Sequence, residues 1–305
     1  MELLRFIEGI RTPFGDTFFS LITHLGEETV FLALGLLFFW CINKKEGYYL
    51  IITGIAGTVI NQFLKLLFRV PRPWVKDPEF TIVESARAEA TGYSFPSGHT
   101  QTSVGVFGGI ARWNKNIILR IIGIVLCVAV PFSRLYLGVH TPLDVGVSAA
   151  IALVLVFGLY PAMQNDKGIR IVLICMLALS AAFMVYVIAA PFKYISSIDP
   201  DNLASGVKKA YSMLGCSVGL WLSFEVERKW IKFDTKAKWW AQIIKLVVGF
   251  GILIAIKTLL KPVFNSVFGG YTADAVRYFL MTVFAGILWP LTFKWFGRLG
   301  NKKQT

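Results

Sequence analysis

The sequence has few charged residues for its length. Only 16% of its 305 residues are charged, whereas 55% are hydrophobic, and the mean hydropathy is +0.62. A soluble domain carries roughly 25% charged residues. The deficit excludes an ordinary soluble protein and, with apolar runs of near-spanning length, predicts a polytopic membrane protein.

Acidic residues are scarcer than basic ones. The chain has 18 Asp and Glu against 31 Lys and Arg, which gives a net charge of +13. In a membrane protein such an excess is first a topology signal. The basic residues lie in short loops between apolar segments, so we expect membrane partners and no binding of nucleic acid.

Cysteine is also rare, and no cysteine spacing is typical of a metal site or of a disulfide framework. We expect the cysteines to be small buried hydrophobic residues, and we expect neither a metal nor a cofactor. No cleavable signal peptide and no linker between soluble domains is recognised. The four cysteines lie within apolar segments, at Cys41, Cys127, Cys175 and Cys216.

The apolar segments predict an all-α bundle of membrane-spanning helices. Residues 1–11 and 14–25 are too short to span and are expected to form helices at the membrane interface. Eight or nine spanning helices follow. We place them near 28–43, 48–68, 98–113, 117–135, 142–163, 169–190, 209–225, 240–258 and 275–294.

The loops between these segments predict an orientation. Basic residues concentrate in every second loop, and acidic residues concentrate in the loops between them. The positive-inside rule makes the basic loops cytoplasmic, with the N-terminus outside and the C-terminus inside. The predicted cytoplasmic segments are 44–47, 112–120, 164–170, 226–239 and the tail 294–305.

Chemistry-bearing motifs occur only in the first half of the chain. Residues 1–165 therefore form a predicted catalytic core. Residues 166–305 carry no motif, and about three of the spanning helices there are additional to a core of the six-helix type. The first motif is Lys65 followed by Arg72-Pro73. An ionisable side chain near the end of an apolar segment costs free energy unless it has a function or a partner. Taken alone, Lys65 is explained equally well as a lysine whose side chain extends to the membrane interface.

The second motif, Pro96-Ser97-Gly98-His99, opens the third spanning segment. We expect Pro96 to start the helix, so that the first-turn amides point towards an anion. Gly98 allows close approach of the backbone to a ligand, and Ser97 offers a further donor. Taken alone, these residues also fit an ordinary helix start.

The third motif is Ser133-Arg134 followed by His140 and Asp144. Arg134 offers a planar fork for phosphate oxygens. His140 and Asp144 are four residues apart at a helix start and can face one another. A carboxylate on one ring nitrogen leaves the other nitrogen free as a nucleophile. The remaining histidine, His24, lies away from every motif and is expected to be structural.

The three motifs together fix eleven positions in order. At about one in twenty per position, a chance match is negligible. Over residues 48–160 the chain resembles the type 2 phosphatidic acid phosphatase superfamily, with every signature position present. The short amphipathic lead and the single spanning helix before the lysine-bearing helix resemble the layout of bacitracin-resistance-type undecaprenyl pyrophosphate phosphatases.

The resemblance implies a membrane-bound lipid phosphatase with a phosphohistidine intermediate. His140 attacks phosphorus, Asp144 orients it, and His99 protonates the leaving oxygen and then activates water. One histidine starts neutral and the other protonated, so a bell-shaped pH–rate profile is expected. The remaining residues hold the phosphate oxygens: Lys65, Arg72, Arg134, Ser97 and the Gly98 amide.

The motifs leave the substrate open. Candidates are a polyprenyl pyrophosphate, which the layout favours, phosphatidylglycerol phosphate and phosphatidate. The expected location is a bacterial plasma membrane with the site on the outer face. Phosphotransfer to an acceptor other than water requires the same residues, and the extra helices also suit a lipid transporter or flippase. Vanadium haloperoxidases share the pocket, but they are soluble, which the composition excludes here.

Overall fold

The computed structural model describes residues 1–190 and 199–299, and these residues fold into an all-helical bundle. The end of the tail predicted to be cytoplasmic, residues 300–305, lies outside the described residues. The helices are α1 (Glu2–Gly9), α2 (Pro13–Thr23), α3 (Glu28–Leu37), α4 (Lys44–Phe68), α5 (Pro73–Lys76), α6 (Gly98–Trp113), α7 (Ile117–Tyr136), α8 (Pro142–Leu159), α9 (Asp166–Ala189), α10 (Pro200–Val226), α11 (Trp239–Leu259), α12 (Lys261–Phe268), α13 (Gly270–Val283) and α14 (Phe293–Arg298).

Six helical segments within the described residues are long and apolar enough to cross a membrane. They contain α4, α7, α8, α9, α11 and α13. Helices α2 and α3, which meet at a bend of 52°, add a seventh segment if they are counted as one broken span. The prediction of a polytopic helical membrane protein is confirmed.

The sequence predicted eight or nine spans, and the difference lies mainly in α6 and α10. All nine predicted segments coincide with helices, but α6 has only 16 residues and buries polar side chains such as Gln101 and Ser103. Helix α10 is long but buries mostly small residues. Both helices are packed among other helices, and a helix in that position does not need an apolar surface on every side.

Helix α4 lies at the centre of the bundle and contacts α3, α6, α8, α9 and α10. It begins where the Asn43 side chain accepts hydrogen bonds from two backbone amides, Lys45 N at 3.0 Å and Glu46 N at 3.2 Å, which is a typical N-cap. Close packing depends on Gly54, because a Cβ there would lie 2.2 Å from the ring of Phe31. The helix carries Lys65 in its last turn.

The loops predicted to be cytoplasmic meet at one end of the bundle. The contacts that join them are Lys44 with Glu227 at 2.5 Å, Lys45 with the Gln164 carbonyl at 2.9 Å, and Asn114 with Glu46 at 2.6 Å. The three motifs therefore lie towards the opposite helix ends, since each motif is one helix length away along the chain.

The second half of the chain packs directly on the first half. Helix α10 contacts α4, α9 and α13. The Trp40 indole N–H, in the turn that continues α3, donates to the Ala285 carbonyl at 2.9 Å. Gly215 allows α10 to approach α13 closely, because a Cβ there would lie 2.1 Å from the Ala275 carbonyl oxygen. Helices from both halves therefore enclose shared interior space.

Candidate active site

A cavity of about 390 Å³ opens between the helix ends that carry the three motifs. Residues from all three motifs line it, and helix α10 also reaches it. The predicted site residues on its wall are Lys65, Arg72, Gly98, His99, Arg134 and His140. Ser97 and Asp144, the other two predicted residues, are buried immediately beside these residues.

His140 and Asp144 lie face to face at the start of α8. The distance from His140 Nδ1 to Asp144 Oδ2 is 3.5 Å. The same carboxylate oxygen accepts from the Thr141 amide at 2.7 Å and from the Ser94 hydroxyl at 2.6 Å. The Thr141 side chain in turn accepts from the Asp144 amide, which completes a capping box. Asp144 is therefore held in place by the helix start itself.

The other ring nitrogen of His140 faces Arg72. Arg72 Nη1 donates to His140 Nε2 at 2.9 Å, and because a guanidinium has no acceptor, Nε2 carries the lone pair. The ring proton then lies on Nδ1, on the side of Asp144. Burial lowers the pKa of His140 well below its ordinary value, and the cations Arg72 and Arg134 lower it further. The imidazole is therefore neutral, with a nucleophilic nitrogen on Nε2.

Arg72 and Lys65 are tied to the loop that leads into the second motif. Arg72 donates to the Thr91 carbonyl at 2.7 Å and to the Gly92 carbonyl at 3.1 Å, and Lys65 donates to the Tyr93 carbonyl. These bonds hold both cations against the cavity wall. A bound phosphate would meet them already positioned, which is the condition for electrostatic stabilisation of developing charge.

Arg134 is almost fully buried, with 1% of its surface exposed. Its Nη1 donates to the Thr23 hydroxyl at 2.6 Å, and its Nε has no hydrogen-bond partner among the described residues. A buried donor without a partner is costly, and an anion in the cavity would supply one. Thr23 ends α2, so the N-terminal helices help to position this arginine.

The start of α6 differs from the expectation in one respect. Pro96 does not start the helix, because Ser97 is the N-cap and Gly98 is the first helical residue. The Ser97 hydroxyl oxygen accepts from the Thr100 amide at 3.4 Å, and the Ser97 amide donates to the Asp144 carbonyl at 3.1 Å. A serine cap satisfies a first-turn amide better than a proline can. Gly98 still lines the cavity.

His99 has a carboxylate neighbour that the sequence did not predict. Its Nε2 lies 3.7 Å from Glu89 Oε2, and Glu89 Oε1 lies 3.3 Å from His24 Nδ1. His24 is therefore close to the second motif, although the sequence placed it away from every motif. Glu89 is the anionic group beside His99, and it is one of three glutamates within the described residues that line the cavity together with four Lys and Arg side chains.

Among the described residues, one group has metal-ligand spacing. The ligand atoms of His24, Glu27 and Glu89 all lie within 4.8 Å of one another. His24 Nδ1 and Glu27 Oε1 already form a hydrogen bond at 2.5 Å, which accounts for their proximity without a cation. The group includes none of the predicted catalytic residues.

Sequence reasoning missed several residues of this site. Ser94 and Thr23 contact predicted site residues, but no spacing marks either of them. Asn61 had a signal, because it lies four residues before Lys65 and therefore on the same helix face. Its amide is buried, lines the cavity and has no partner among the described residues. Lys209 lines the cavity from α10, in the half that carries no motif.

Comparison with known protein families matches both halves of the chain. The PAP2 superfamily model matches residues 45–168, and a model described as PAP2 superfamily phosphatase, transmembrane extension, matches residues 211–302. The chain belongs to the PAP2 superfamily. The family predicted from the three motifs is therefore confirmed, and the additional helices correspond to an extension found with this PAP2 domain.

Curated relatives of this PAP2 protein carry the names of phosphatases. It is 34% identical to undecaprenyl-diphosphatase BcrC of Bacillus subtilis over 41% of the chain. It is 30% identical to phosphatidylglycerophosphatase B of Bacillus subtilis over 48% of the chain, and 26% identical to human sphingosine-1-phosphate phosphatase 2 over 67% of the chain. The chain spans 64%, 75% and 51% of these proteins, respectively. No solved structure matches it.

Proposed function

We propose that this PAP2 protein is an integral-membrane phosphatase that removes phosphate from a lipid phosphate or diphosphate through a phosphohistidine. The geometry of His140 supports this most directly. Its Nδ1 faces Asp144 at 3.5 Å, its Nε2 accepts from Arg72 at 2.9 Å, and it lines the cationic cavity. This is a neutral, oriented nucleophile next to the groups that bind an anion.

In the first half-reaction His140 Nε2 attacks phosphorus. A bond forms between Nε2 and phosphorus, and the bond from phosphorus to the lipid oxygen breaks. Protonated His99 gives its proton to that oxygen, so the lipid leaves as a neutral alcohol or as the shortened phosphate. Asp144 stabilises the positive charge that develops on the His140 ring, because its carboxylate lies on the Nδ1 side.

In the second half-reaction water replaces the histidine. His99, now neutral, takes a proton from water, and the resulting hydroxide attacks phosphorus as the bond to Nε2 breaks. Inorganic phosphate leaves, and His140 is neutral again. Throughout, the charge on the phosphate oxygens is stabilised by Lys65, Arg72, Arg134, Ser97 and the Gly98 amide. These residues supply the positive charge of the site, so we expect activity without added metal.

A polyprenyl diphosphate is the favoured substrate. The N-terminal layout and the 34% identity to undecaprenyl-diphosphatase BcrC support this choice. The positive-inside rule supports a site on the outer face of a bacterial plasma membrane, because the basic loops meet at the opposite end of the bundle.

The test is phosphate release by purified protein in detergent with EDTA present. Undecaprenyl diphosphate, phosphatidylglycerol phosphate and phosphatidate are supplied in parallel, with His140→Ala as the control. Metal-independent release that is lost in His140→Ala supports the mechanism, and the ranking of the three lipids selects the substrate. Release that persists in His140→Ala would exclude His140 as the nucleophile.

Two other possible functions of the same site are distinguished by further measurements. Phosphotransfer predicts that added lipid alcohols compete with water for the phosphoryl group. A transporter predicts lipid translocation that His140→Ala leaves unchanged.

A further inference from the structure

A second cavity lies next to the phosphate cavity and differs from it in chemistry. Its volume is about 160 Å³, and most of its lining is apolar, although Lys257 and several hydroxyl groups also border it. Glu28 and Thr58 line both cavities, so the two spaces adjoin at these residues. A space that is cationic at one end and apolar at the other matches a molecule with a phosphate head and a hydrocarbon tail.

Both halves of the chain build the walls of this apolar cavity. Ile55 of α4 and Phe39, in the turn after α3, face it from the first half. Cys216 of α10, Leu253 of α11 and Met281 of α13 face it from the second half. The transmembrane extension therefore forms one side of this cavity, which would be open without it.

The apolar cavity runs from the phosphate end towards the middle of the bundle. Its lining on α3 and the following turn extends from Glu28 to Phe39, which at 1.5 Å per residue is about 16 Å along the helix axis. That is about half of a hydrocarbon layer roughly 30 Å thick. The cavity therefore has the direction and depth needed for a hydrocarbon tail whose phosphate head lies in the phosphate cavity.

We infer that this apolar cavity is the site for the substrate's hydrocarbon tail and that the extension thereby determines which tail lengths are accepted. The inference rests on the proposed phosphatase function, since the head of the same molecule occupies the cationic cavity. The tail crosses between the cavities at Thr58 and Glu28. Glu28 pairs there with Lys209 of α10, so the crossing point also joins the two halves of the chain.

The test compares diphosphates that share a head and differ in tail length, isopentenyl diphosphate and farnesyl diphosphate. Cys216→Phe places an aromatic ring in the apolar cavity. Cys175→Phe, on the exposed side of α9, is the matched control, because it makes the same change away from the cavity. Relative to the control, we expect Cys216→Phe to lower kcat/KM for farnesyl diphosphate about tenfold, the equivalent of about two buried methylene groups. We expect kcat/KM for isopentenyl diphosphate to stay within about twofold of the control.

A binding measurement separates this inference from the proposed reaction. In the His140→Ala background, which prevents turnover, farnesyl diphosphate should raise Tm more than isopentenyl diphosphate does, since a tighter ligand stabilises the folded state more. Cys216→Phe should remove that difference and Cys175→Phe should keep it. Tail-dependent binding without hydrolysis in the His140-containing protein would overturn the reaction and support the tail site. Equal effects of Cys216→Phe on both diphosphates would overturn the tail site, provided that its Tm without ligand matches that of Cys175→Phe, which shows that the variant is folded.

Discussion

At the scale of single residues, the site depends on which nitrogen of His140 carries the proton. Arg72 can only donate, so its bond to Nε2 at 2.9 Å fixes the lone pair on that nitrogen. Ser94 and the Thr141 amide hold the Asp144 carboxylate on the opposite side. These contacts prepare the nucleophile before a substrate arrives, and no proton transfer from His140 is needed to activate it.

The pH dependence of the rate follows from this arrangement. Burial lowers the pKa of His140, so it stays neutral as the pH falls through the ordinary histidine value of about 6.5 and is protonated only at lower pH. We expect the acid limb of kcat/KM to lie below about pH 6.5. Burial and the cations Arg134 and Arg72 also lower the pKa of His99, so we expect His99 to gain its proton once the anionic phosphate is bound, and the alkaline limb to appear in kcat, which reports the enzyme–substrate complex. The measurement is kcat and kcat/KM from about pH 4 to 9. A kcat that does not change between about pH 5 and 8 would contradict the assignment of the two histidines.

At the scale of helices, α10 makes the second half of the chain part of the phosphate site. Ser205 and Lys209 are four residues apart on one face of α10, and both line the phosphate cavity. Lys209 pairs with Glu28, which borders both cavities. A lipid diphosphate has a second phosphate between the reacting phosphorus and the tail. Lys209 lies where a cation can bind that inner phosphate.

Lys209→Met should therefore raise KM for a lipid diphosphate about tenfold, because loss of one charge-assisted hydrogen bond costs about 1.5–3 kcal/mol. KM for the monophosphate with the same tail should stay within about twofold, because that lipid has no inner phosphate. Steady-state kinetics on the two lipids measures the difference. Lys208→Met, an exposed neighbour on the same helix, is the control and should behave like the unchanged protein. Equal increases in KM for both lipids would show that Lys209 does not distinguish them.

At the scale of the whole molecule, the two ends of the bundle differ in charge and in chemistry. Contacts such as Lys45 with Gln164 join the basic loops at one end. The phosphate cavity and the loop that contains Glu79 belong to the other end, and residues 69–97 of that loop carry four acidic and four basic residues. Of the cavity's cations, Lys65, Arg134 and Lys209 lie in helices and do not enter the loop count of the positive-inside rule, whereas Arg72 lies in this loop.

This orientation predicts the labelling of single cysteines in intact cells. In a chain whose four native cysteines are replaced by alanine or serine, Glu79→Cys should react with a membrane-impermeant maleimide from outside. Lys115→Cys should react only after the membrane is opened. Both positions are exposed, so their difference reports the side of the membrane. The reverse pattern would place the active site on the cytoplasmic face.

The sequence by itself determined the class of the protein, its helices and its family. Apolar runs and charge deficits are local properties, and they predict spanning helices without knowledge of their neighbours. The family followed from motifs whose internal spacing is short, such as His140 and Asp144 four residues apart. The predicted helix count exceeded the number of segments that are long and apolar enough to span, because α6 has only 16 residues and α10 is rich in small and polar residues.

Only the tertiary structure decided which distant residues complete the site. Arg134 finds its partner Thr23 across 111 positions of sequence, and Lys209 finds Glu28 across 181. The apolar cavity beside Cys216 arises in the same way. No motif marks these residues, because such contacts depend on how helices pack and not on spacing along one helix. The sequence determines the helices and much of the reactive chemistry, whereas packing determines what surrounds the substrate.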